Sequence, residues 1–278
     1  MDIAMIKFSI VVVCLNPGQG LKRTVESILA QTCGDYEILV KDGMSSDGSV
    51  EALPPEERIR IIRQKDKGIY DAMNQAVEQV RGRYVYFLNC GDFFFDRDVL
   101  HRVEIEIEKK ETRIKQSGGI QAAPRYIFYG DIHERRTGQR VPSNPSLDAF
   151  GCYRNVPCHQ ACFYGAGLMR EKGFDLSYRV RADYDHFLWC FFRGKAEPVY
   201  MPMVVADYEG GGFSETRENR RISAREHREI VEKYMKPSQV RRYRAVMFLS
   251  LSWLRTWLSE NKATARVYNK IKRRIYKS

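Results

Sequence analysis

The chain has 278 residues, of which 44% are hydrophobic and 29% are charged, and its formal net charge is +11. This apolar content can build a sizeable core, which excludes a wholly disordered protein, and the length fits one large α/β domain or two small ones. No apolar run approaches the roughly 18 residues needed to cross a bilayer, and the first ten residues lack the pattern of a secretory signal.

The first 90 residues alternate short apolar runs with amphipathic segments. Runs rich in β-branched and aromatic residues predict strands, and apolar residues at helical spacing predict helices. The predicted strands cover residues 5–14, 36–41, 59–63 and 84–88, and the predicted helices cover residues 21–31 and 68–81. This order of elements is typical of a parallel sheet covered by helices.

The next 140 residues are less regular. The sequence predicts a charged helix and a loop over residues 99–119, and a strand over residues 126–129 that ends at Gly130 and Asp131. Ala182 opens a strongly apolar helix that closes at Gly194, a strand follows over 199–207, and residues 223–236 form a polar helix. Pro237 marks a break. We therefore expect one domain over residues 1–236 and a separate arm over 237–278.

The arm carries the whole net charge. Residues 236–278 contain twelve lysines and arginines against one acid, Glu260, so the rest of the chain sums to zero. Apolar residues, including Trp253 and Trp257, recur there at helical spacing, which indicates a basic amphipathic helix. Such a helix suits an anionic membrane surface, and packing against the body or binding of nucleic acid are the alternatives.

Polar side chains follow three of the predicted strands. Asn16, Asp42 and Asp92 each come directly after a strand, and ligands of parallel sheets bind outside the carboxyl ends of the strands. A carboxylate at Asp92 could hold a hard divalent cation such as Mn²⁺ or Mg²⁺, with substrate phosphates completing its shell. The alternative is that Asp42 and Asp92 are ordinary turn residues.

Further along the chain, two pairs of residues are candidates for chemistry. Asp183 and Asp185 point about 200° apart on a helix, so one could face a cleft as a general base while the other stabilises the helix start. The pair His159 and Gln160 either contacts substrate or is buried and satisfied. The spacing of Cys152, Cys158, His159 and Cys162 does not match common structural zinc sites, and the odd total of seven cysteines favours a reducing cytoplasm.

Two phosphate-binding signatures are absent. The sequence has no G-x-x-x-x-G-K-[ST] loop and no G-x-G-x-x-G turn after the first strand. These absences lower the odds of a P-loop NTPase or a Rossmann dehydrogenase. They favour a site at the sheet edge that uses carboxylates and a metal ion.

Five segments together carry a resemblance. They are residues 8–16 (FSIVVVCLN), 25–31 (VESILAQ), 40–49 (VKDGMSSDGS), 66–74 (DKGIYDAMN) and 82–92 (GRYVYFLNCGD). In this order they resemble the motifs of family 2 glycosyltransferases, which have the GT-A fold. The resemblance implies an α/β, Rossmann-like and mostly parallel sheet flanked by helices, with a nucleotide-binding half over residues 1–98 and an acceptor half over 120–215. Features at residues 129–131, 159–160, 183–185 and 210–214 are similar to the bacterial exopolysaccharide branch, including colanic-acid type enzymes.

The resemblance also implies roles for single residues. In the family pattern, Asp92 ligates the metal ion on the diphosphate, and Asp183, with Asp185 as the alternative, is the general base. Residues implied at the nucleotide are Leu15, Asn16, Asp42, Lys67, Gly68 and Asn74, and residues implied at the acceptor are His159, Gln160 and Ser214. The chain departs from the family acids and arginine at four positions: Met73, Asn89, Gly91 and Ala182.

The activity that this resemblance implies is an inverting transfer of a sugar from a nucleotide donor to a hydroxyl group. The acceptor is expected to be a lipid-linked saccharide, and the basic arm would hold a cytoplasmic enzyme at the inner face of the membrane. Two other hypotheses remain: a catalytically weak scaffold with the same fold, suggested by the departures, and a protein that binds nucleic acid through the arm. The neutral body argues against nucleic acid as a partner.

Overall fold

The first half of the fold follows the predicted alternation of strands and helices. The structure is a computed structural model that describes residues 6–116, 125–210 and 216–249. Its first elements are β1 (Phe8–Cys14), α1 (Gln19–Leu29), β2 (Tyr36–Asp42), β3 (Ile59–Arg63), α2 (Ile69–Val77) and β4 (Tyr84–Phe87). Each predicted element of this half is present, although α2 ends four residues earlier than its apolar pattern predicts.

The second half contains longer strands and several short elements. In chain order these are β5 (Phe93–Phe94), α3 (Val99–Gln116), β6 (Tyr126–Glu134), β7 (Gln139–Val141), α4 (Ala149–Arg154), a 3₁₀ turn (His159–Ala161), β8 (Cys162–Gly165), α5 (Ala166–Glu171), α6 (Ala182–Phe192), β9 (Glu197–Tyr208), α7 (Arg217–Tyr234) and α8 (Pro237–Leu249). The elements that sequence reasoning missed have only two to six residues, too few to show a periodicity.

The nine strands found in the described residues form one sheet. Its order is β3-β2-β1-β4-β8-β6-β9-β5, and β7 pairs with β6. The pairings make β1, β2, β3, β4, β6 and β9 run in one direction, whereas β5, β7 and β8 run against them. The prediction of a mostly parallel α/β sheet flanked by helices is therefore confirmed, and β8 is the antiparallel strand that joins its two halves.

The core lies on both faces of the sheet. Every residue of β1 is buried, as expected of a parallel strand with helices on both sides. Phe8, Ile10 and Val12 pack in one core with residues of α1 and α3, and α2 contacts β1 and β2. Gly82 lets the chain pass close to β1, because a Cβ there would lie 2.4 Å from the backbone nitrogen of Ser9. The strand ends that form the site are thus fixed by a continuous core.

The chain divides into two compact units, residues 1–230 and 231–278. The boundary falls inside α7, close to the predicted boundary after residue 236. The second unit includes α8, whereas Trp253, Trp257 and the rest of the predicted amphipathic arm lie outside the described residues. In the part of the chain that the structure describes, no helix has the length and apolar character needed to span a bilayer.

Candidate active site

The six strands that share a direction have their carboxyl ends on the same side of the sheet. A cavity of about 880 Å³ opens on that side, next to the carboxyl ends of β4, β6 and β9. Its lining includes Asn89, Asp92, His159, Gln160, Asp183 and Glu209. Of the three carboxylates expected to share a cleft, Asp92 and Asp183 line this cavity and Asp42 does not. Residues nearly 100 positions apart are therefore brought to one site by the order of the strands.

Asp92 lies in the tight turn between β4 and β5 and is 5% exposed. Its Oδ2 accepts a hydrogen bond from Gln160 Nε2 at 2.8 Å, and its Oδ1 accepts one from the backbone N–H of Glu209 at 2.8 Å. Burial raises the pKa of the Asp92 carboxyl above its ordinary value, and the charge of Glu209 adds to this, while the two hydrogen bonds oppose it. The Asp92 side chain is therefore fixed by two hydrogen bonds, and a cation bound beside it would stabilise its buried negative charge.

Gln160 is a support for Asp92 rather than a free group of the cavity wall. It is 1% exposed, and its Oε1 accepts from the backbone N–H of Asn89 at 2.9 Å while its Nε2 donates to Asp92. Its own carbonyl oxygen accepts from the Tyr86 hydroxyl at 2.6 Å. Because both ends of the amide are used within the protein, Gln160 positions Asp92, and the acceptor contact that the resemblance implies for it stays a prediction.

Arg135 supplies a positive charge beside Asp92. It follows β6, and its Nη2 lies 3.6 Å from Asp92 Oδ1 and donates to the carbonyl oxygen of Gly91 at 2.5 Å. Its guanidinium stacks over the ring of Phe93 at 4.5 Å, which restricts its orientation. No motif or spacing in the sequence indicates this arginine. The predicted strand ends at residue 129, but β6 extends five residues further, and this extension places Arg135 at the end of the strand.

Asp183 is in the first turn of α6, with one oxygen near two donors. Its Oδ1 accepts from the backbone N–H of Tyr184 at 2.9 Å and lies 3.2 Å from the hydroxyl of Tyr70, which also donates to Val180 O at 2.8 Å. Tyr70 lines the same cavity from α2. The second carboxylate oxygen of Asp183 has no hydrogen bond among the described residues, so it is available to accept a proton from a bound hydroxyl.

Asp185 has a different environment, as the helical spacing predicts. It is fully buried, and Oδ2 forms an ion pair with Lys172 Nζ at 2.6 Å. It does not line the cavity. Between the two aspartates, only Asp183 is therefore placed to meet a substrate.

The segment before Asp183 is held by α7. The carboxylate of Glu226, 2% exposed, accepts hydrogen bonds from the backbone N–H groups of Arg179, Val180 and Arg181 at 2.8 to 3.0 Å. Three consecutive donors on one carboxylate fix the path of the chain into α6. Nothing in the local sequence around Glu226 indicates this partner 45 residues upstream.

Asp42 ends β2 and is fully buried. Its Oδ1 accepts from the backbone N–H and the hydroxyl of Ser45 at 3.0 and 2.5 Å, and its Oδ2 lies 3.2 Å from Arg63 Nε. These contacts shape the turn that follows β2. The carboxylate that the resemblance implies at the base is thus engaged by its own loop, and its contact with a base stays a prediction.

The turn after β1 is interlocked with the same loop. The backbone N–H of Asn16 donates to Ser45 Oγ at 2.8 Å, and Asn16 Oδ1 accepts from the N–H of Ser46 at 2.9 Å. Leu15 is 61% exposed and Met44 is 47% exposed, which is unusual for large apolar side chains. A Cβ on Gly43 would lie 2.8 Å from Asp66 Oδ2 and 3.4 Å from Leu15 Cδ1, so glycine is needed where these loops approach each other.

Lys67 and Gly68 lie at the start of α2, and both are exposed. Their backbone N–H groups are fixed by acids, since Lys67 donates to Asp71 at 2.8 Å and Gly68 donates to Asp66 at 3.2 Å. Asp66 is held in turn by the fully buried Lys41, at 2.9 Å. The Lys67 side chain is therefore displayed on a firmly anchored loop.

Asn74, which the resemblance implies at the nucleotide, is engaged within the protein. Its Nδ2 donates to Phe174 O at 2.9 Å, and its Oδ1 accepts from Phe174 N at 2.8 Å. Gly173 allows this close approach, because a Cβ there would lie 2.5 Å from Asn74 Oδ1. Asn74 does not line the cavity, and its amide ties α2 to the segment before α6.

Comparison with known proteins identifies the family. Residues 9–171 match the model of the family described as glycosyl transferase family 2. A relative from Mycobacterium tuberculosis, named PGL/p-HBAD biosynthesis glycosyltransferase, is 38% identical over 216 residues, covering 75% of this chain and 79% of its own length.

The chain belongs to glycosyl transferase family 2.

Two solved structures are similar to this family 2 glycosyltransferase in fold. The crystal structure of S. aureus TarS 1-349 in complex with UDP-GlcNAc has a TM-score of 0.64 at 14% identity, covering 92% of this chain and 74% of that one. The mannosyltransferase PcManGT from Pyrobaculum calidifontis, in complex with GDP-Man and Mn²⁺, has a TM-score of 0.60 at 15% identity, covering 98% and 81%. The predicted GT-A fold and glycosyltransferase class are confirmed.

The donor set of this glycosyltransferase fits a metal ion only in part. Among residues 6–116, 125–210 and 216–249, no three His, Cys, Asp or Glu side chains are arranged as a metal site. Mg²⁺ and Mn²⁺ use one or two carboxylates and complete their shells with phosphate oxygens. Each Asp92 oxygen accepts one protein hydrogen bond and has further acceptor capacity, so Asp92 fits as a single protein ligand.

The remaining predicted acceptor residues have different outcomes. His159 lines the cavity, with Nε2 3.4 Å from Asn89 Nδ2. Ser214 lies outside the described residues. The structure adds Tyr70, Arg135 and Glu209 to the site, and none of them has a motif of its own that would reveal its proximity to Asp92 or Asp183.

Proposed function

We propose that this family 2 glycosyltransferase moves a sugar from a nucleoside diphosphate donor to a hydroxyl of a saccharide acceptor, with inversion at the anomeric carbon. The observation that supports this most is that Asp92 and Asp183 line the same cavity and have different environments. Asp92 is buried and braced on both oxygens, whereas Asp183 keeps an oxygen open to the cavity. A diphosphate-holding group and a proton acceptor are the two functions that such a transfer needs.

The donor would bind along the ends of β1, β2 and β4. The exposed side chains of Leu15 and Met44 offer an apolar surface for a base, and Lys67 lies on the anchored loop before α2. Support also comes from the solved relatives in fold, whose titles print UDP-GlcNAc and GDP-Man as ligands.

In the transfer itself, Asp183 accepts the proton of the acceptor hydroxyl as that oxygen attacks the anomeric carbon. One displacement breaks the bond from the anomeric carbon to the diphosphate oxygen and inverts the configuration. Asp92 would hold Mn²⁺ or Mg²⁺, which when bound neutralises charge on the leaving diphosphate. Arg135, 3.6 Å from Asp92, keeps the charge of this region balanced.

We further propose a lipid-linked acceptor and a peripheral position at the inner membrane face, in the assembly of a bacterial surface polysaccharide. The support is the charge of residues 236–278, since each basic residue near anionic lipid contributes about 1 kcal/mol. In the described part of the arm, α8 presents Phe248 and Leu249, which are 69% and 77% exposed. The mycobacterial relative is named as a biosynthesis glycosyltransferase, which supports the transfer of a sugar.

A thermal-shift panel tests the proposal. The full-length protein is melted with UDP, GDP or dTDP, each with and without Mn²⁺. We expect one nucleotide with Mn²⁺ to raise the melting temperature by several degrees, because a ligand that binds only the folded state stabilises it. Asp92→Ala should abolish the Mn²⁺-dependent part of the shift.

Asp96→Ala is the matched control. Asp96 lies four residues further on, pairs with Arg102 and does not line the cavity, so its replacement should leave the shift intact. Absence of a shift with all three nucleotides in the unaltered protein would contradict the proposed donor class.

A further inference from the structure

Two arginines line the cavity without a carboxylate partner. Arg154 is the last residue of α4, and Arg181 is the residue before α6. Arg154 is exposed and Arg181 is half-buried, so a ligand in the cavity can reach both. Neither forms an ion pair among the described residues, whereas Arg179, in the same segment, pairs with Glu218 at 3.1 Å. The cavity therefore has two positive charges that the described part of the protein does not pair.

Arg181 is held in one orientation by contacts that leave its terminal nitrogens open. Its Nε donates to the hydroxyl of Ser223 at 2.7 Å and to the carbonyl oxygen of Ser223 at 3.1 Å. The guanidinium carbon lies 5.3 Å from the centre of the Tyr184 ring. Nη1 and Nη2 have no hydrogen bond within the described ranges. A planar guanidinium fixed in this way presents its outer edge, which matches two oxygens of a phosphate or a carboxylate.

Arg154 belongs to the same region because α4 is tied to α6. The hydroxyl of Tyr184, whose ring lies beneath Arg181, donates to the carbonyl oxygen of Cys152 at 2.7 Å. The guanidinium of Arg154 has a weak contact with the ring of Phe150, at 6.0 Å, and no hydrogen bond to any described residue. One tyrosine thus links the helix that ends at Arg154 to the arginine before α6.

The place of Arg181 in the chain favours the acceptor as its ligand. Arg181 is two residues from Asp183, the proposed proton acceptor, in the segment that Glu226 holds. An anion bound to Arg181 therefore has a fixed relation to the hydroxyl that meets Asp183. Asp92, proposed at the leaving diphosphate, has its own positive neighbour, Arg135, at 3.6 Å. The two unpaired arginines are left for the other substrate.

We propose that Arg154 and Arg181 form an anion subsite, so that the acceptor saccharide carries a phosphate or a carboxylate near the hydroxyl that receives the sugar. The proposal rests on the proposed function, because it assumes that an acceptor enters the cavity. The phosphate that links a saccharide to a lipid and the carboxylate of an acidic sugar present the same oxygens to two arginines. The experiment below separates these two sources.

The experiment compares three monosaccharide probes of similar size: glucose 1-phosphate, the methyl glycoside of glucuronic acid, and neutral methyl glucoside. Magnetic resonance titration of the full-length protein gives Kd for each, first alone and then with saturating Mn²⁺ and UDP, GDP or dTDP to fill the donor site. We expect a charged probe to bind about tenfold more tightly than methyl glucoside, and added salt to reduce this advantage. Tighter binding of glucose 1-phosphate would indicate a linking phosphate, and tighter binding of the glucuronic acid glycoside would indicate an acidic sugar.

Variants of the two arginines test the assignment. Arg154→Gln and Arg181→Gln should each weaken binding of the charged probe about tenfold and leave Kd for methyl glucoside and for the nucleoside diphosphate unchanged. Arg181→Lys keeps the charge but not the planar fork, so it should keep only part of the affinity. Arg225→Gln is the matched control. It removes the same charge from α7, but Arg225 pairs with Glu229 at 3.6 Å and does not line the cavity.

Each result decides the inference. It is overturned if neither charged probe binds the unaltered protein more tightly than methyl glucoside, or if both glutamine variants bind the probes as the unaltered protein does. A loss of nucleoside diphosphate affinity in these variants would also overturn it, because the arginines would then belong to the donor site. If the unaltered protein binds a charged probe through both arginines but binds no nucleoside diphosphate, the proposed donor class fails and the anion subsite stands. Melting temperatures identify a variant that does not fold, and Arg154→Gln and Arg181→Lys then carry the test.

Discussion

The two halves of the sheet treat the polar residues at their strand ends differently. In the half formed by β1, β2 and β3, Asn16 and Asp42 are bonded to Ser45 and its neighbours within the same loops. In the half formed by β4, β6, β8 and β9, Asp92 and Asp183 line a cavity, and one oxygen of Asp183 has no hydrogen bond among the described residues. Polar groups that are satisfied within their own loops stabilise a scaffold, whereas a carboxylate oxygen open to a cavity can meet a ligand. We therefore propose that the first half is a platform and that the second half carries the reaction.

The largest effects are expected from two variants of the second half, Asp183→Asn and Asp185→Asn. Asp183→Asn should lower kcat by about a hundredfold to ten-thousandfold, since a general base is lost, with unchanged donor affinity. Asp185→Asn should instead lower the free energy of unfolding by about 3–5 kcal/mol, because it leaves Lys172 without its buried partner. Steady-state kinetics and urea denaturation measure the two effects. If Asp185→Asn lowered kcat and Asp183→Asn lowered only the free energy of unfolding, Asp185 would be the base.

Acid should weaken the second half before the first. All five histidines follow β4, at residues 101, 133, 159, 186 and 227, and burial lowers the pKa of His186 to about 3. The unfolded chain takes up this proton near pH 6.5 and the folded chain does not, so stability is complete above pH 6.5 and falls below it. Between pH 6.5 and pH 5 the loss from His186 is about 2 kcal/mol.

Hydrogen exchange read along the chain checks this prediction. Protection in α6 and β8 should fall at pH 5 by more than protection in β1 and β2. His101→Gln is the control, because His101 is exposed, with a side-chain exposure of 56%, and its removal should leave the acid response unchanged. Equal loss of protection in both halves at pH 5 would contradict the assignment to His186.

Asp42→Ala tests whether the first half is only a platform. Its removal deletes the acceptor of the Ser45 N–H and hydroxyl and one of the charge partners of Arg63, and we expect a loss of about 2 kcal/mol in the free energy of unfolding. Donor affinity should change little once the protein is folded. A hundredfold loss of nucleotide affinity at unchanged stability would instead support the direct base contact that the family resemblance implies.

Tyr70→Phe is expected to have the smallest effect. The hydroxyl lies 3.2 Å from Asp183 Oδ1 and donates to Val180 O, so its loss loosens the proton acceptor without removing it. We expect kcat to fall about tenfold, with KM for the donor unchanged and a melting temperature lower by a few degrees at most. A rise in donor KM with normal kcat would place Tyr70 at the donor instead.

The sequence predicted the platform better than the reacting half. Long buried strands such as β1 and amphipathic helices such as α1 carry strong local patterns, and strand ends then indicate Asn16, Asp42 and Asp92. β5, β7 and β8 are too short for a pattern, and they determine which distant segments meet at the cavity. Local patterns also do not reveal the partners of a side chain, so the hydrogen bonds of Asn74 to Phe174 could not be predicted from the sequence.

The carboxylate of Glu226 has a consequence for how the enzyme can be divided. The family match ends at residue 171, and the last strand ends at Tyr208, but the latch on the chain entering α6 comes from α7. A version that stops after residue 210 would retain every strand that the structure describes and still lose the hydrogen bonds of Glu226 that hold the segment before Asp183. An active fragment of this enzyme must therefore extend past the sheet and include α7. Shorter fragments are expected to fold but to have no activity.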